Sequence, residues 1–307
     1  METAIRTSTL PDLRPDVALA PFTTIRVGGS ADWLCRAASF RDVVGALAWA
    51  RDQGVPVAVI GRGSNLLVSD EGFRGLALRL VGRLTSISVR GTDMWCGGGA
   101  SLPRAVQRAA AHGLAGLEWG ASIPGTVGGA VAMNAGAHSG DLAQALRWAV
   151  VCGPDGRRRV GVADLELGYR RSAIAPGEVV AAAGFALGRG DAEAIAGRLA
   201  EFRARRRATQ PQGVRTFGSV FTNPPGDSSG RLLEAAGCKG LTVGGARFSI
   251  VHANFIEAAP GCRATDVLAL MSEGRRRVAA AGGPSLAPEV RYLDPERGII
   301  HAPMDDA

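Results

Sequence analysis

Val55-Pro56-Val57-Ala58-Val59-Ile60-Gly61-Arg62-Gly63-Ser64-Asn65-Leu66-Leu67-Val68 passes from an apolar run of strand type into a glycine loop and out into apolar residues again. Glycine at 61 and 63 lets backbone N–H groups approach a ligand closely, and with the Ser64 hydroxyl they could ring a pyrophosphate. The spacing is neither G-x-G-x-x-G nor a Walker loop, since no G-K-[ST] follows. On these residues alone a tight turn and a phosphate site both stay open.

The residues before this loop predict a helix. Ser39-Phe40-Arg41-Asp42 has the form of a capping box, Val43, Val44, Leu47 and Ala48 follow at helical spacing, and Gly54 ends the element. Downstream, Ser101 opens a second helix with Pro103 in its first turn and Gly113 past its end. Ile123-Pro124-Gly125-Thr126-Val127-Gly128-Gly129 with Asn134-Ala135-Gly136-Ala137 is a second glycine-rich region, too apolar for an exposed linker. Two such regions in one chain point towards a dinucleotide cofactor without saying which. If backbone amides at Gly125 and Gly128 reach a pyrophosphate, bulky side chains there should abolish cofactor retention before folding.

Strand-like segments recur at 148–152, 159–162 and 179–187. A third helix starts near Asp191, its Ile195, Leu199 and Phe202 on one face and Arg205-Arg206-Arg207 at its end, favourable at a helix C-terminus. Beyond Pro211 the pattern predicts strand 217–222, helix 229–236, strand 247–256 and helix 265–280.

Within the first of these lies Gly218-Ser219-Val220-Phe221-Thr222-Asn223-Pro224. The flank is not Gly-x-Ser-x-Gly, and no His/Asp relay surrounds the serine. A serine without a base, beside phosphate-cradling loops, suggests proton donation in a cofactor enzyme more than nucleophilic attack. Gly168-Tyr169-Arg170-Arg171-Ser172 sets two cations beside a tyrosine: a surface turn, or a planar fork for a carboxylate or phosphate. Glu289 sits in a short apolar stretch, where a glutamate usually pairs with a residue such as Arg291. His252 reads as a hydrogen-bonded core histidine, since no other His or Cys stands at metal spacing and no metal is expected.

Composition narrows the class. The 307 residues carry 46% apolar side chains, enough for a substantial core, and 43 glycines with no collagen period. Aromatics at 5% argue against a base-stacking nucleic-acid binder. The net charge of +7 is concentrated in the arginine runs at 157–159, 205–207 and 275–277, read as solvated surface or as attraction for an anionic substrate. Five scattered cysteines give neither a disulfide framework nor a zinc site and fit a reducing cytoplasm. No signal-peptide core and no run of 18 apolar residues is seen, so no membrane partner is expected.

Taken together, these segments resemble the UDP-N-acetylenolpyruvoylglucosamine reductase family, from about Thr23 to Leu293. The order and spacing of Thr23-Thr24-Ile25-Arg26-Val27-Gly28-Gly29, Gly61 to Val68, Ile123 to Ala137, Gly168-Tyr169-Arg170, Thr209-Gln210-Pro211, Gly218 to Pro224, Ala236 to Gly240, His252 to Phe255 and Glu289-Val290 carry the resemblance. It implies an α+β fold: a two-subdomain FAD-binding module of the vanillyl-alcohol-oxidase-like (PCMH) type, then a separate α+β substrate-binding domain. The expected parts are an arm at 1–20, FAD subdomains at 21–75 and 76–190, and a substrate domain at 191–307 entered by a linking helix at 191–207. Only 48 residues separate Arg170 from Ser219, which looks like the shorter family branch lacking a tyrosine-bearing loop.

Carried over by position, Arg170, Ser219 and Glu289 would be catalytic. FAD contacts would come from Gly61, Arg62, Gly63, Ser64, Asn65 and Leu66, from Ile123, Pro124, Gly125, Thr126, Gly128 and Gly129, and from Asn134, Ala135 and Gly136. Tyr169, Arg207, Asn223 and Lys239 would meet the substrate. The implied reaction is NADPH-dependent reduction of the enolpyruvyl ether of UDP-N-acetylglucosamine-enolpyruvate, by a cytoplasmic monomer, in peptidoglycan precursor synthesis. The rival readings are another FAD-dependent oxidoreductase on the same cofactor fold, and a non-enzymatic protein that binds sugar nucleotide or nucleic acid through the arginine runs.

Overall fold

The structure is a computed structural model that describes residues 12–137 and 140–304. The described helices are α1 (Phe40–Gln53), α2 (Leu102–Ala110), α3 (Val127–Ala132), α4 (Ala192–Thr209), α5 (Ser229–Ala235) and α6 (Ala264–Ala280). Two compact units share the chain. Within the described residues, one holds 12–15, 33–61 and 76–205 and the other holds 16–32, 62–75 and 206–304.

In the first unit a five-stranded sheet runs in the order Gly156–Gly161, Leu146–Gly153, Val179–Ala186, Asp93–Gly97, Ile87–Arg90, antiparallel throughout. Val179–Ala186 is the central strand, and seven of its eight residues are buried. That is the pattern of a strand covered on both faces. Val179 and Ala181 join Val43, Ala46, Leu47 and Ala50 of α1 in one core. Val180, Ala183 and Phe185 join α2 and α3 in another. Strict alternation would not put 180 and 183 on one side. The register shift where Val150 and Val151 meet Ala182 and Val180 inserts the extra residue that switches the face.

The expected caps of α1 are present. Ser39 Oγ accepts the Asp42 N–H at 3.2 Å and Asp42 Oδ2 accepts the Ser39 N–H at 3.0 Å, while Gly54 closes the helix at φ 66°. Val57–Val59 lies parallel to Phe73–Leu80, with Val57 opposite Leu76, in a four-stranded sheet that also takes Ser30–Ala37 and Leu13–Ala18. The arm expected at 1–20 thus includes a strand from Leu13, while residues 1–11 lie outside the described residues.

The second unit joins segments far apart in sequence. Leu66–Val68 is buried at all three positions and lies parallel to Arg291–Asp294, with Leu67 opposite Tyr292. Ile25, Val27 and Leu67 share a core with Phe217, Phe221, Phe248 and the apolar faces of α5 and α6. Asp70 caps α6 from 194 residues away, accepting the N–H groups of Ala264 at 2.7 Å and Thr265 at 3.0 Å. Segments 16–32 and 62–75 therefore group with the C-terminal part, where the chain-order expectation kept them apart. The buried strand after the glycine loop finds its partner in the last hundred residues. The strand expected at 217–222 is only two single bridges, Ser219 with Phe255 and Phe221 with Pro288. The strand expected at 247–256 divides into Ala246–Phe248 and Ile256–Ala258 around a turn.

Candidate active site

Ser219 and Glu289 are built into one backbone frame of the second unit. The carbonyl of Val220 accepts the Glu289 N–H at 2.8 Å, and the Thr222 N–H donates to Ala287 O at 2.9 Å. Val220, Phe221 and Val290 are wholly buried, so apolar neighbours anchor the frame while Ser219 and Glu289 stay half-buried. The turn into Ser219 needs glycine: Gly218 has φ 87° and a side chain there would stand 3.7 Å from Ser64 O. Asn65 closes the frame, its Nδ2 donating to Glu289 O at 3.1 Å and its own carbonyl accepting the Arg291 N–H at 3.1 Å. Residues 62–66, Ser219 and Glu289 are thus brought together.

Gly63, at φ 60°, lies under Phe22 and Thr23, and its carbonyl accepts the Thr24 N–H at 3.1 Å. The Thr23-Thr24 motif thus shapes the glycine loop. Arg62 is exposed, Ser64 half-buried and Leu66 buried. Asn223 is exposed and its Oδ1 accepts the Ser229 N–H at 3.1 Å, which ties the loop after Ser219 to α5. Lys239 is paired with Glu234 at 2.6 Å, and Arg207 is exposed on α4. Among the described residues, no hydrogen bond or ion pair joins either cation to the Ser219–Glu289 frame.

In the first unit the second glycine region meets the Tyr169-Arg170 turn. Asn134 Nδ2 donates to Gly168 O at 3.0 Å, Ser172 Oγ to Ala132 O at 2.8 Å and Arg170 Nη2 to Gly136 O at 3.4 Å. Ala135 and Gly136 are both half-buried here. Arg170 holds a left-handed φ of 57°, which costs a non-glycine residue about 1–2 kcal/mol. Its guanidinium lies 4.9 Å from the ring of Tyr169, itself 61% exposed. The left-handed backbone and the contact to Gly136 O hold the guanidinium beside the exposed ring.

The glycine run before it is used differently from the expectation. The Gly125 N–H donates to Ile123 O at 2.8 Å and the Gly128 N–H to Gly98 O at 2.7 Å, while Thr126 Oγ1 accepts the Gly129 N–H at 3.3 Å and caps α3. A side chain on Gly128 would meet Val180 O at 2.6 Å, and one on Gly61 would meet Thr126 Oγ1 at 2.7 Å. Glycine at 128 is demanded by close packing of α3 on the sheet, not by an open amide. Ile123 and Pro124 are half-buried at the mouth of this run.

One buried atom speaks for a ligand. Asn134 is 5% exposed, and its Oδ1 has no hydrogen-bond partner. A buried acceptor without a donor is costly, by about 1–3 kcal/mol, unless a bound group supplies one. The residues present therefore fit a hydrogen-bonding cofactor such as FAD.

The FAD-binding domain family matches residues 31–160, and the C-terminal domain of UDP-N-acetylenolpyruvoylglucosamine reductase matches residues 210–293. The reductase of Anaeromyxobacter dehalogenans strain 2CP-C is 46% identical over 278 residues, covering 91% of this chain and 84% of the relative. That of Rubrobacter xylanophilus is 43% identical over 286 residues, with 92% and 96% covered. The crystal structure of the Thermus caldophilus reductase superposes with a TM-score of 0.80 at 38% identity, covering 91% of this chain and 99% of that one. The chain belongs to the UDP-N-acetylenolpyruvoylglucosamine reductase family.

The α+β class and the FAD-binding domain expected from the resemblance stand with that membership. Two of the three arginine runs are absorbed by structure. Arg157 lies 4.7 Å over the Phe40 ring, Arg159 lies 4.2 Å over Trp148, and Arg158 pairs with Glu178. Arg276 and Arg277 share Glu273. His252 is half-buried and hydrogen-bonded, accepting the Asn254 N–H on Nδ1 at 3.1 Å and standing edge-on to Phe255 at 4.9 Å, and burial holds its pKa below the usual value. Burial pushes the thiols of Cys35 and Cys96 up to about 12, which leaves them inert as nucleophiles. The Arg291 side chain lies on His301 at 2.7 Å. The sequence reading missed Asn254, which sits in the quoted His252 to Phe255 motif, and Asp70.

Proposed function

We propose that this protein reduces the enolpyruvyl ether of UDP-N-acetylenolpyruvoylglucosamine with NADPH, using a resident FAD. Family membership supports the reaction, and the single structural observation that supports the roles is the frame joining Ser219 to Glu289 through Val220. A bound FAD would supply the hydride-transfer chemistry that links NADPH to the terminal carbon of the enolpyruvyl group. The loop Gly61 to Leu66 and the segments Ile123 to Gly129 and Asn134 to Gly136 would hold it, with Asn134 Oδ1 accepting one of its donors.

The remaining chemistry belongs to the chain. Hydride addition leaves charge on the adjacent substrate carbon and on the carboxylate that conjugates with it. The Arg170 fork and the carboxyl group of Glu289 would act on that carboxylate as the charge builds, where fixed donors count most. Ser219 Oγ would then give its proton to the charged carbon. Such a carbanion is basic enough that the hydroxyl needs no depressed pKa and no histidine relay. Tyr169, Asn223, Arg207 and Lys239 are proposed as substrate contacts. The proposed setting is cytoplasmic peptidoglycan precursor synthesis by a monomer. Among the described residues no helix is long and apolar enough to cross a membrane.

The reading is tested by reducing the purified yellow protein with NADPH under anaerobic conditions and then adding the enolpyruvyl sugar nucleotide. Bleaching followed by recovery of the flavin absorbance supports the reaction. Bleaching with no recovery would point to another flavin oxidoreductase, and a colourless preparation to a binding protein.

A further inference from the structure

We propose that Asn254 is a positioning residue for the proton donor, an inference that rests on the reading of Ser219 given above. Among the described residues Ser219 belongs to no extended ladder, and a single bridge to Phe255 is its strand-like pairing. Such a segment needs another device to fix it. Asn254 supplies three hydrogen bonds to the two residues that follow Ser219. Its Oδ1 accepts the Phe221 N–H at 2.9 Å, its Nδ2 donates to Phe221 O at 2.8 Å, and its backbone carbonyl accepts the Val220 N–H at 2.9 Å.

A carboxamide offers one acceptor and paired donors in a plane, so it meets the peptide of Phe221 as a neighbouring strand would. Aspartate cannot donate to the carbonyl, and leucine can make neither bond. Asn254 is 3% exposed and Phe221 wholly buried, so a lost bond would not be replaced by bulk water. The residue is itself held: its N–H donates to His252 Nδ1 at 3.1 Å, and the Phe255 N–H closes the turn on His252 O at 3.0 Å. Glu289 has its own ties, its N–H to Val220 O and its carbonyl to Asn65 Nδ2, so the Asn254 side chain acts on the Ser219 segment.

The test uses the FAD-loaded enzyme with Asn254→Ala and Asn254→Ser, each alone and combined with Ser219→Ala. Should Asn254→Ala fail to fold, Asn254→Ser, which keeps one hydrogen bond, carries the same comparison. Flavin reduction by NADPH should stay at the unsubstituted rate. Turnover of the enolpyruvyl substrate should fall roughly 10²-fold, the loss expected when a reacting group shifts by about 1 Å. The solvent deuterium isotope effect on flavin reoxidation should rise, since proton delivery then limits the rate.

In the Ser219→Ala background the Asn254 substitution should add almost nothing, because the group it positions is gone. Normal turnover in Asn254→Ser, or losses that multiply in the double variant, would overturn the positioning role while leaving a slow Ser219→Ala to support its own reading. Normal turnover in Ser219→Ala itself would remove the proton donor and this inference together.

Discussion

Asn65 Nδ2 donates to the backbone carbonyl of Glu289 at 3.1 Å, across 224 residues of sequence. The glycine loop read as a cofactor cradle is therefore also a brace for the glutamate proposed to meet the substrate carboxylate.

Replacing Asn65 with alanine should separate these two duties. The fraction of Asn65→Ala that retains flavin should be reoxidised by the enolpyruvyl substrate about 10-fold or more slowly, because Glu289 loses its brace. Flavin lost on purification, with a normal reoxidation rate in the loaded fraction, would leave Asn65 a cofactor contact alone.

Gly128→Val should now fail in folding as well as in flavin retention. Its side chain would meet Val180 O at 2.6 Å and Gly98 O at 2.9 Å, both backbone atoms with no freedom to turn aside. Overpacking of this kind costs about 1–3 kcal/mol or more. Thermal unfolding checks it, and an unchanged midpoint with empty flavin would restore the open-amide explanation.

Arg170 and Glu289 should matter more for turnover than for substrate binding, since charge on the substrate carboxylate grows only during hydride transfer. Glu289→Gln, which still donates one hydrogen bond, should be milder than Glu289→Ala. Arg170→Lys keeps the charge but loses the fork, and should stay clearly impaired. Steady-state kcat and KM measured separately check the ordering. A rise in KM alone would assign these residues to uniform binding.

Stability should fall as the medium is acidified through the histidine range. Burial lowers the pKa of His252 first, with Lys239 adding to it, and burial beside Arg291 lowers that of His301, both from 6.5. The unfolded chain takes up protons that the folded one resists. The stability held above pH 6.5 is therefore lost as pH drops below it. Denaturant midpoints at pH 7.5 and 5.5 should differ less in His252→Gln than in the unsubstituted protein. An equal difference would show that His252 does not contribute.

Local structure was the legible part of this sequence. The capping box at Ser39 and Asp42, the stop at Gly54, the second helix and the central strand at 179–187 follow from spacing and caps that act within a few residues. Long-range pairings were not legible. Nothing in Leu66-Leu67-Val68 says that its partner is Arg291–Asp294, so the second unit could not be assembled in chain order. Ser219 is legible because a serine without a base is chemically conspicuous. Asn254, two residues from His252, is not legible, because a carboxamide that pairs with backbone has no local signature. The glycines at 61, 63 and 128 were conspicuous as well, but their contacts lie with Thr126, Phe22 and Val180, which only the fold brings near.

The central claim, that Ser219 delivers the proton, is tested most directly by stopped-flow measurement of the two half-reactions in Ser219→Ala. NADPH should reduce the bound flavin at the unsubstituted rate, and reoxidation by the enolpyruvyl sugar nucleotide should slow by ~10²–10⁴-fold, the span of a lost general acid. Reoxidation at a near-normal rate in that variant would contradict the assignment.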